Sequence, residues 1–549
     1  MKNNQNNIQF IIHRGSHQIG GNCVELATRN AKILIDCGLP LDFEEQPEET
    51  QEQILVDAKE WTRDCDAIFL SHYHGDHYGL LNEAPEGTKV YTSKETANLM
   101  KVSGLFGDDL TKHLDIQAID GTVTVKDFRV TAFPVDHSAF GACAFLFEVE
   151  GKTILYSGDI RLHGKKGILY KRLPKHVDYL FLEGTNIGRG VRQRTETDME
   201  NEFVSQFLAN KDSLHLVWCS SQNIDRMVAL YRACIKTNRF LCVDLYAAYV
   251  LELVHASNEK IPSIKTHPNL MVYFPHRLTS LLIDKDEKLV YGLRRGATKL
   301  VKGDLSVNPS KYVVLFRPKL LGDLGRYINN TKVCLTTSIW AQYWEQDKPE
   351  MKRLKAWLDV KPKLRKRLPD IHTSGHADVE SLKEIVEHIQ PKTIVPIHTE
   401  HSDSFSSLFP NNNVMEVADE VQYSMIDPTI WKSTKSFEEQ EISFYLTDVQ
   451  PDLSGVPATI YVACKMAEFS PRILISKDFD WSNVYEGKTV SISLEKTPKV
   501  VEGDEQSISS ETIEKAIRWV VLNYDLLMKH WNGEASSLDL LNNVKKINL

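Results

Sequence analysis

The chain has 549 residues, 42% of them hydrophobic and 25% charged, with a formal net charge of −9. That length exceeds one ordinary core and implies two to four domains, and an acidic total, taken whole, argues against a nucleic-acid binder. The 9 cysteines form no CxxC pair, which excludes a disulfide framework and a cysteine zinc finger and points to a reducing, cytoplasmic compartment.

The first twelve residues carry too short an apolar stretch for a signal peptide. No apolar run reaches the roughly 18 residues of a membrane span. Ile8–Ile12, Cys23–Leu26 and Ile33–Ile35 read as strands, with Gly20-Gly21-Asn22 as turn chemistry between the first two. An acidic stretch from Asp42 to Glu52 suggests a loop and a helix start. Ala67–Leu70 reads as a buried strand running straight into His72. Further strand-like runs follow at Lys89–Tyr91, Thr122–Val125, Val130–Phe133, Ala142–Val149, Thr153–Tyr156 and Tyr179–Leu182. Mixed with helices at this spacing, they imply an α/β layered domain over residues 1–183.

Residues 184–370 alternate helix and strand: Met199–Leu208, His215–Cys219, Ile224–Thr237, Phe240–Val243. This predicts a second α/β unit. Residues 371–430 return to the pattern of residues 1–183, with a helix at Val379–Gln390 and a strand at Thr393–Ile397. One α/β domain interrupted by another is the simplest account. Residues 431–549 predict a small α/β module of unassigned role. Its strands are expected at Ile442–Leu446, Thr459–Ala463 and Thr489–Leu494. A capped amphipathic helix is expected from Ser510 through Ile513–Asn523, and a short one at Leu538–Val544.

Charge is unevenly spread. Residues 184–370 carry +12, while 1–183 and 371–430 carry −8 each. The densest basic stretch holds Lys352, Arg353, Lys355, Lys361, Lys363, Arg365, Lys366 and Arg367. It reads either as a solvated face balancing the acidic domain or as a track for a polyanion. Trp340, Tyr343 and Trp344 lie beside it; aromatics at this spacing are more often core than a base-stacking surface.

The chemistry concentrates in Ser71-His72-Tyr73-His74-Gly75-Asp76-His77. Two His spaced by one residue at a strand end can point to one metal, and Asp76 with His77 can reach a second. Nitrogen and oxygen ligands without thiolate suit zinc, with manganese as the harder alternative. His137, Asp159 and His398 each end a separate strand-like run, the layout of a site at one sheet edge.

These motifs resemble the metallo-β-lactamase superfamily: HYHGDH matches its central motif, Asp36 its first, His137 its third and Asp159 its fourth. The resemblance extends to the β-CASP nucleases through Glu183-Gly184-Thr185, Thr373-Ser374-Gly375-His376-Ala377 and Pro396-Ile397-His398. The last two most resemble ribonuclease J-type enzymes, although those more often show Asp-Ser-Thr where this chain has Glu-Gly-Thr. The resemblance implies an αββα sandwich with the β-CASP cap inserted at 184–370. It implies two zinc ions, one held by His72, His74 and His137, the other by Asp76, His77 and His398, with Asp159 bridging. Asp36 would orient a ligand, and Glu183 would pair with His376 beside the scissile phosphate. His376 would stabilise charge there or protonate the leaving oxygen. Ser374 and Gly375 would hold a neighbouring phosphate, with Arg365, Lys366 and Arg367 on the substrate track. For Arg161 and His163, after Asp159, substrate contact and a surface loop role both stand open. The implied activity is hydrolysis of RNA phosphodiester bonds by metal-activated water, exo- or endonucleolytic, and His398 favours RNA over single-stranded DNA. A DNA-directed relative, a small-molecule hydrolase of the superfamily and a non-catalytic scaffold are the alternatives. The C-terminal module is expected to provide an oligomer or partner interface.

Overall fold

The computed structural model describes residues 8–106, 109–189, 194–425, 446–449, 451–463, 471–476, 489–503, 508–532, 540 and 543–547. They fall into two compact units, residues 1–426 and 427–549.

The first unit contains three seven-stranded sheets. One is ordered β21-β1-β2-β3-β4-β5-β6. Its strands are β1 (Gln9–Arg14), β2 (Cys23–Ala27), β3 (Lys32–Ile35), β4 (Ala67–Phe69), β5 (Lys89–Thr92), β6 (Asp115–Ala118) and β21 (Gln422–Ser424). The second is ordered β20-β19-β11-β10-β9-β8-β7. It comprises β7 (Thr122–Val125), β8 (Phe128–Pro134), β9 (Cys143–Val149), β10 (Lys152–Tyr156), β11 (Tyr179–Glu183), β19 (Thr393–Ile397) and β20 (Asn413–Val414). Strands from both ends of the unit therefore complete both sheets: β21 pairs with β1 and β19 with β11.

Period-2 alternation explains the layering. In β11, Leu180 and Leu182 pack with Leu382, Ile385 and Ile389 of the helix Val379–Ile389. Phe181, between them, points the other way and meets Phe10 of β1 edge-on at 5.2 Å. Phe69 of β4 likewise meets Phe145 and Phe147 of β9 at 5.7 and 5.4 Å. On the outer face of the first sheet, Leu34, Ile68 and Val90 share a core with Ile54, Ala58 and Trp61 of the helix Glu48–Arg63. The result is helix, sheet, sheet, helix.

The third sheet lies wholly between β11 and β19 in sequence. It is ordered β15-β14-β13-β16-β12-β17-β18. Its members are β12 (Leu214–Trp218), β13 (Phe240–Asp244), β14 (Leu270–Tyr273), β15 (Thr298–Lys299), β16 (Tyr312–Leu315), β17 (Val333–Thr337) and β18 (Arg365–Arg367). Every pairing is parallel. Strands buried on both faces form continuous apolar runs, which makes them legible in sequence. The carboxyl ends of this sheet meet the first two sheets. The Tyr73 hydroxyl donates to the Gln222 carbonyl at 2.9 Å, just beyond β12. Ile371 N donates to the Thr337 carbonyl at 2.9 Å, at the end of β17.

The basic stretch is partly structural, a correction to its reading as a substrate track. Arg365 is only 3% exposed. Its guanidinium donates to the Trp357 carbonyl at 2.8 Å and to the Asn329 carbonyl, and stacks on Trp357. Once β18 joins the sheet edge, this side chain is buried away from any phosphate. Arg367 is held by Asp370 at 2.9 Å. Lys366 is exposed.

The second unit is an antiparallel meander of five strands, β22 (Leu446–Val449), β23 (Thr459–Ala463), β24 (Arg472–Ser476), β25 (Val490–Ser493) and β26 (Val500–Gly503). Three strands are expected from the sequence; β24 and β26 are additional. The expected strand Ile442–Leu446 lies outside the described residues except for Leu446, and so does most of the expected helix Leu538–Val544. The amphipathic helix runs from Ser510 to Trp531, longer than expected, and its cap is Ser509 rather than Ser510: the Ser509 side chain accepts from Thr512 N. Trp519, Leu527 and Trp531 pack with Ile460, Val462, Ile473 and Ile475, so these aromatics build the unit's own core. Among the described residues no helix is long and apolar enough to cross a membrane.

Candidate metal centre

The site sits where β3, β4, β8, β10 and β19 end. Asp36 follows β3, His72 to His77 follow β4, His137 follows β8, Asp159 follows β10 and His398 follows β19. Strand ends at one edge of a sandwich converge because the strands are held side by side, so residues far apart in sequence meet. Two positions there take left-handed backbone, Asp36 (φ 59°) and His398 (φ 50°). Such strain in non-glycine residues is held only where the surroundings over-determine it. His398 N donates to the Gly15 carbonyl at 2.7 Å.

His72, His74, His137 and Asp159 bring one ligand-type atom each within 4.8 Å of one another, and so do Asp76, His77 and His398. Asp159 Oδ2 lies 3.5 Å from His72 Nε2, 3.2 Å from His77 Nε2 and 3.5 Å from His137 Nε2. On the far side, His398 Nε2 lies 3.4 Å from Asp76 Oδ2, and His398 Nδ1 lies 3.9 Å from Asp159 Oδ1.

The outward-facing atoms of these rings are settled by their neighbours. His77 Nδ1 donates to Asp36 Oδ2 at 2.8 Å. Asp36 also accepts from Ser71 N at 2.7 Å, the Ser71 hydroxyl at 2.9 Å and the Tyr156 hydroxyl at 2.8 Å. With its proton given to Asp36, Ser71 Oγ accepts from His72 Nδ1 at 3.1 Å. His137 Nδ1 donates to the Gly375 carbonyl at 2.6 Å. In the neutral ring, a protonated Nδ1 leaves Nε2 as a bare lone pair. His72 and His137 therefore point acceptors at a carboxylate. His137 Nε2 also faces His74 Nδ1 at 3.1 Å.

The His72 and His77 Nε2 atoms and both Asp159 oxygens are buried and make no hydrogen bond. Buried acceptors facing one another with no donor between them are costly. A divalent cation resolves that conflict, and imidazole with carboxylate is a zinc-type donor set. For His72 and His137 the electrostatics agree, whereas at His77 burial is outweighed by Asp159, Asp36 and Asp76, which push the ring well above its ordinary range. Burial, reinforced by the neighbouring His77, pushes the His72 imidazole well below its ordinary range, and burial does the same to His137. Burial works against the Asp159 carboxylate, but the charges of His398 and His77 hold it well below the carboxylate range. Neutral rings at His72 and His137 beside an ionised carboxylate are the protonation state a cation needs.

Beside this cluster His376 Nδ1 lies 3.1 Å from Glu183 Oε2 and 3.8 Å from Asp159 Oδ2. Burial opposes its charge, but Glu183 and Asp159 outweigh burial and push its pKa up to about 9. Its side chain keeps 18% of its surface exposed, against 1% for Glu183. It can therefore meet a substrate that Glu183 cannot. Ser374 Oγ accepts from His376 N at 3.1 Å and from Asn186 Nδ2 at 3.2 Å. At Gly375 a Cβ would stand 2.5 Å from Ser138 Oγ and 2.9 Å from His137 Cε1, so only glycine fits.

Two residues have roles that their local sequence does not announce. Thr185 Oγ1 lies 2.7 Å from His398 Nδ1 and 3.1 Å from His376 Nδ1, linking the two histidines. The only signal in the sequence is its place two residues after Glu183. Arg161 is neither a substrate contact nor a surface residue: it is 0% exposed. It donates to Asp136 Oδ1 at 3.0 Å, Glu196 Oε1 at 3.1 Å, Asp225 Oδ2 at 2.7 Å and the Ser374 carbonyl at 3.3 Å. Arg226, also 0% exposed, donates to Glu196 Oε2 at 3.0 Å and the Ile371 carbonyl at 3.2 Å. The network ties Asp136 and Arg161, next to the ligand strands, to the inserted segment and to the stretch bearing His376. His163 Nε2 donates to the same Ser374 carbonyl at 2.8 Å.

This network carries a prediction. Burial raises the Glu196 pKa, but Arg226 and Arg161 outweigh burial and lower it from 4.5 to about 2. A depressed folded pKa contributes stability that is present above pH 4.5 and lost as the pH falls toward 2. At roughly 1.4 kcal/mol per unit, the loss approaches about 3 kcal/mol. Thermal midpoints measured from pH 5 to pH 3 should fall less steeply in Glu196→Gln than in the wild type. Parallel slopes would refute the assignment.

Comparison with known proteins adds the family context. Residues 18–194 match the metallo-β-lactamase superfamily, and residues 361–410 match the Zn-dependent metallo-hydrolase RNA specificity domain. Those ranges contain Asp36 to Asp159 and His376 to His398. An RNase J-like protein of Methanocaldococcus jannaschii is 24% identical over 72% of this chain and 93% of its own length. A probable RNase of the same organism is 30% identical over 32% of this chain and 45% of its own. A crystal structure of an Enterococcus faecalis protein of unknown function superposes with a TM-score of 0.55 at 20% identity, over 76% of this chain and 100% of that one, which speaks to fold alone.

Proposed function

We propose that this chain, a metal-dependent hydrolase of the metallo-β-lactamase superfamily with the β-CASP arrangement, is a zinc-dependent nuclease that hydrolyses RNA phosphodiester bonds. One observation carries the reading: two groups of ligand-type side chains gather around the shared Asp159 beside a paired, partly exposed histidine. The +12 charge of the inserted segment supports a polyanionic substrate. The relatives named as RNases support RNA.

His72, His74, His137 and Asp159 would hold one zinc ion, and Asp76, His77 and His398 a second, with Asp159 shared. What zinc supplies when bound is Lewis acidity toward water and a phosphate oxygen. The remaining work falls to the chain. Asp36 and the Gly375 carbonyl orient His77 and His137 through their Nδ1 protons. Glu183 keeps His376 protonated, so that His376 can donate to phosphate oxygen or to the leaving group. Thr185 sets the distance between His376 and His398. Ser374, Gly375, Lys366 and Arg367 are candidates for neighbouring phosphates.

The test is incubation of the protein, with and without added zinc after chelation, with RNA labelled at either end and with single-stranded DNA. Zinc-restored cleavage of RNA is expected. Ladders that shorten from one end identify exonucleolysis, and internal fragments identify endonucleolysis. Cleavage of DNA in preference to RNA would overturn the substrate assignment, and inertness toward both would overturn the nuclease reading.

A further inference from the structure

The sequence favours a core role for the aromatics at 340–344. The structure instead exposes two of them, Trp340 at 37% and Tyr343 at 46%. Their rings pack edge to face, with centroids 6.1 Å apart. Trp344 is different: the Arg367 guanidinium stands 3.9 Å over its ring and Lys355 Nζ stands 5.5 Å away. Among the described residues no cation covers Trp340 or Tyr343.

The segment that carries them is tied on both sides of the metal loop. At its start, Ser338 N donates to the Trp218 carbonyl at 2.8 Å and the Ser338 hydroxyl donates to the Ile371 carbonyl, beside the stretch leading to His376. At its far end, Lys348 Nζ pairs with Glu44 Oε2 at 3.0 Å. Glu44 lies three residues beyond Leu41, whose side chain flanks Asp76: a Cβ on Gly20 would meet both, at 2.8 and 3.1 Å. Burial raises the pKa of the Tyr343 hydroxyl, and the charge of the Asp76 carboxylate adds to the rise. Tyr343, and through it Trp340, therefore lies on the Asp76 side of the metal centre.

Exposed aromatic faces cost hydration free energy unless something uses them. Lys348, Lys352 and Lys355 follow in the chain, each paired with a carboxylate, Glu44, Asp347 and Glu345 in turn; what the two rings offer is flat apolar faces of the kind on which unpaired bases stack. We propose that Trp340 and Tyr343 form a stacking platform for the unpaired bases of a single-stranded nucleic acid entering the metal centre. This rests on the nuclease reading and sharpens it: the enzyme would grip single strands by their bases, not only by their phosphates. A duplex, whose bases are already stacked, would gain nothing from the platform.

The experiment compares binding of two fluorescently labelled 12-mers, one bearing bases and one abasic, to the full-length protein by anisotropy under chelating conditions. The wild type should bind the base-bearing strand about tenfold more tightly, as one or two stacked bases imply. Trp340→Ala and Tyr343→Ala should each shrink that ratio, while Tyr343→Phe, which keeps the ring, should preserve it. Equal affinity of the wild type for both strands would overturn the platform and leave the nuclease reading standing. So would a ratio unchanged in Trp340→Ala. Binding of neither strand would overturn both.

Discussion

Replacing Asp76 and His77 together with alanine should abolish cleavage of RNA and remove bound zinc. Both side chains belong to the same ligand group as His398, and His77 Nε2 also approaches Asp159 Oδ2 at 3.2 Å. The change strips one side of Asp159 and leaves Asp36 without the proton it receives from His77 at 2.8 Å. Two-metal sites supply several kcal/mol of transition-state stabilisation, so the rate should fall by at least about 10³-fold. The assay is single-turnover cleavage of end-labelled RNA, with zinc content measured by atomic absorption on the same samples. Wild-type rates in the variant would sink the ligand assignment.

His376→Ala separates chemistry from metal binding. Its Nδ1 pairs with Glu183 at 3.1 Å, and Glu183 is otherwise occupied by Ile160 N at 2.9 Å and Thr185 N at 3.3 Å. Removing the imidazole takes away a positioned donor while leaving both ligand groups complete. The expected loss is about 10²–10³-fold in rate, the usual worth of one such donor, with zinc content unchanged. Glu183→Gln should reproduce part of the loss, because a neutral amide no longer favours the protonated ring. If His376→Ala lost zinc in parallel with activity, His376 would be a ligand instead. That outcome is chemically coherent, since His376, Asp159 and His398 also gather within ligand distance of one another.

Much of this site is legible in the sequence because ligand chemistry is written in residue types. Three histidines and an aspartate within six residues, straight after the buried run Ala67–Leu70, have few structural uses. Asp136-His137, Gly158-Asp159 and Ile397-His398 each close an apolar run, and strand ends are where sandwich folds gather their sites. The inserted sheet is legible for a related reason: doubly buried parallel strands such as Leu214–Trp218 are nearly unbroken apolar runs. The five-stranded module is less so. Arg472–Ser476 and Val500–Gly503 are short and carry weak signals on their own, and their strand identity comes from hydrogen-bonded neighbours.

Where sequence and structure part, one cause is shared. Residue type and local company say little about Arg161, Arg365, Trp340 and Tyr343, because partners distant in sequence decide the environment of each. Charged Arg161 is buried because Asp136, Glu196 and Asp225 surround it. Arg365 is buried because β18 docks beside β17 under Trp357. Trp340 and Tyr343 are exposed on a segment whose start, Ser338, bonds to Ile371 and whose far end, Lys348, pairs with Glu44.

The sequence by itself determined which groups are available: a nitrogen and oxygen ligand set without thiolate, a basic insertion in an acidic chain, and the strand ends that present them. Only the tertiary structure decided how those groups act. Three histidines from two strand ends close on one oxygen of Asp159. His72 and His137 present bare Nε2 atoms because Ser71 Oγ and the Gly375 carbonyl claim their protons. His376 stays accessible while Glu183 beneath it does not. Each depends on distances of a few ångströms between residues up to 238 positions apart, and local sequence cannot encode such distances without the packed sheets that impose them.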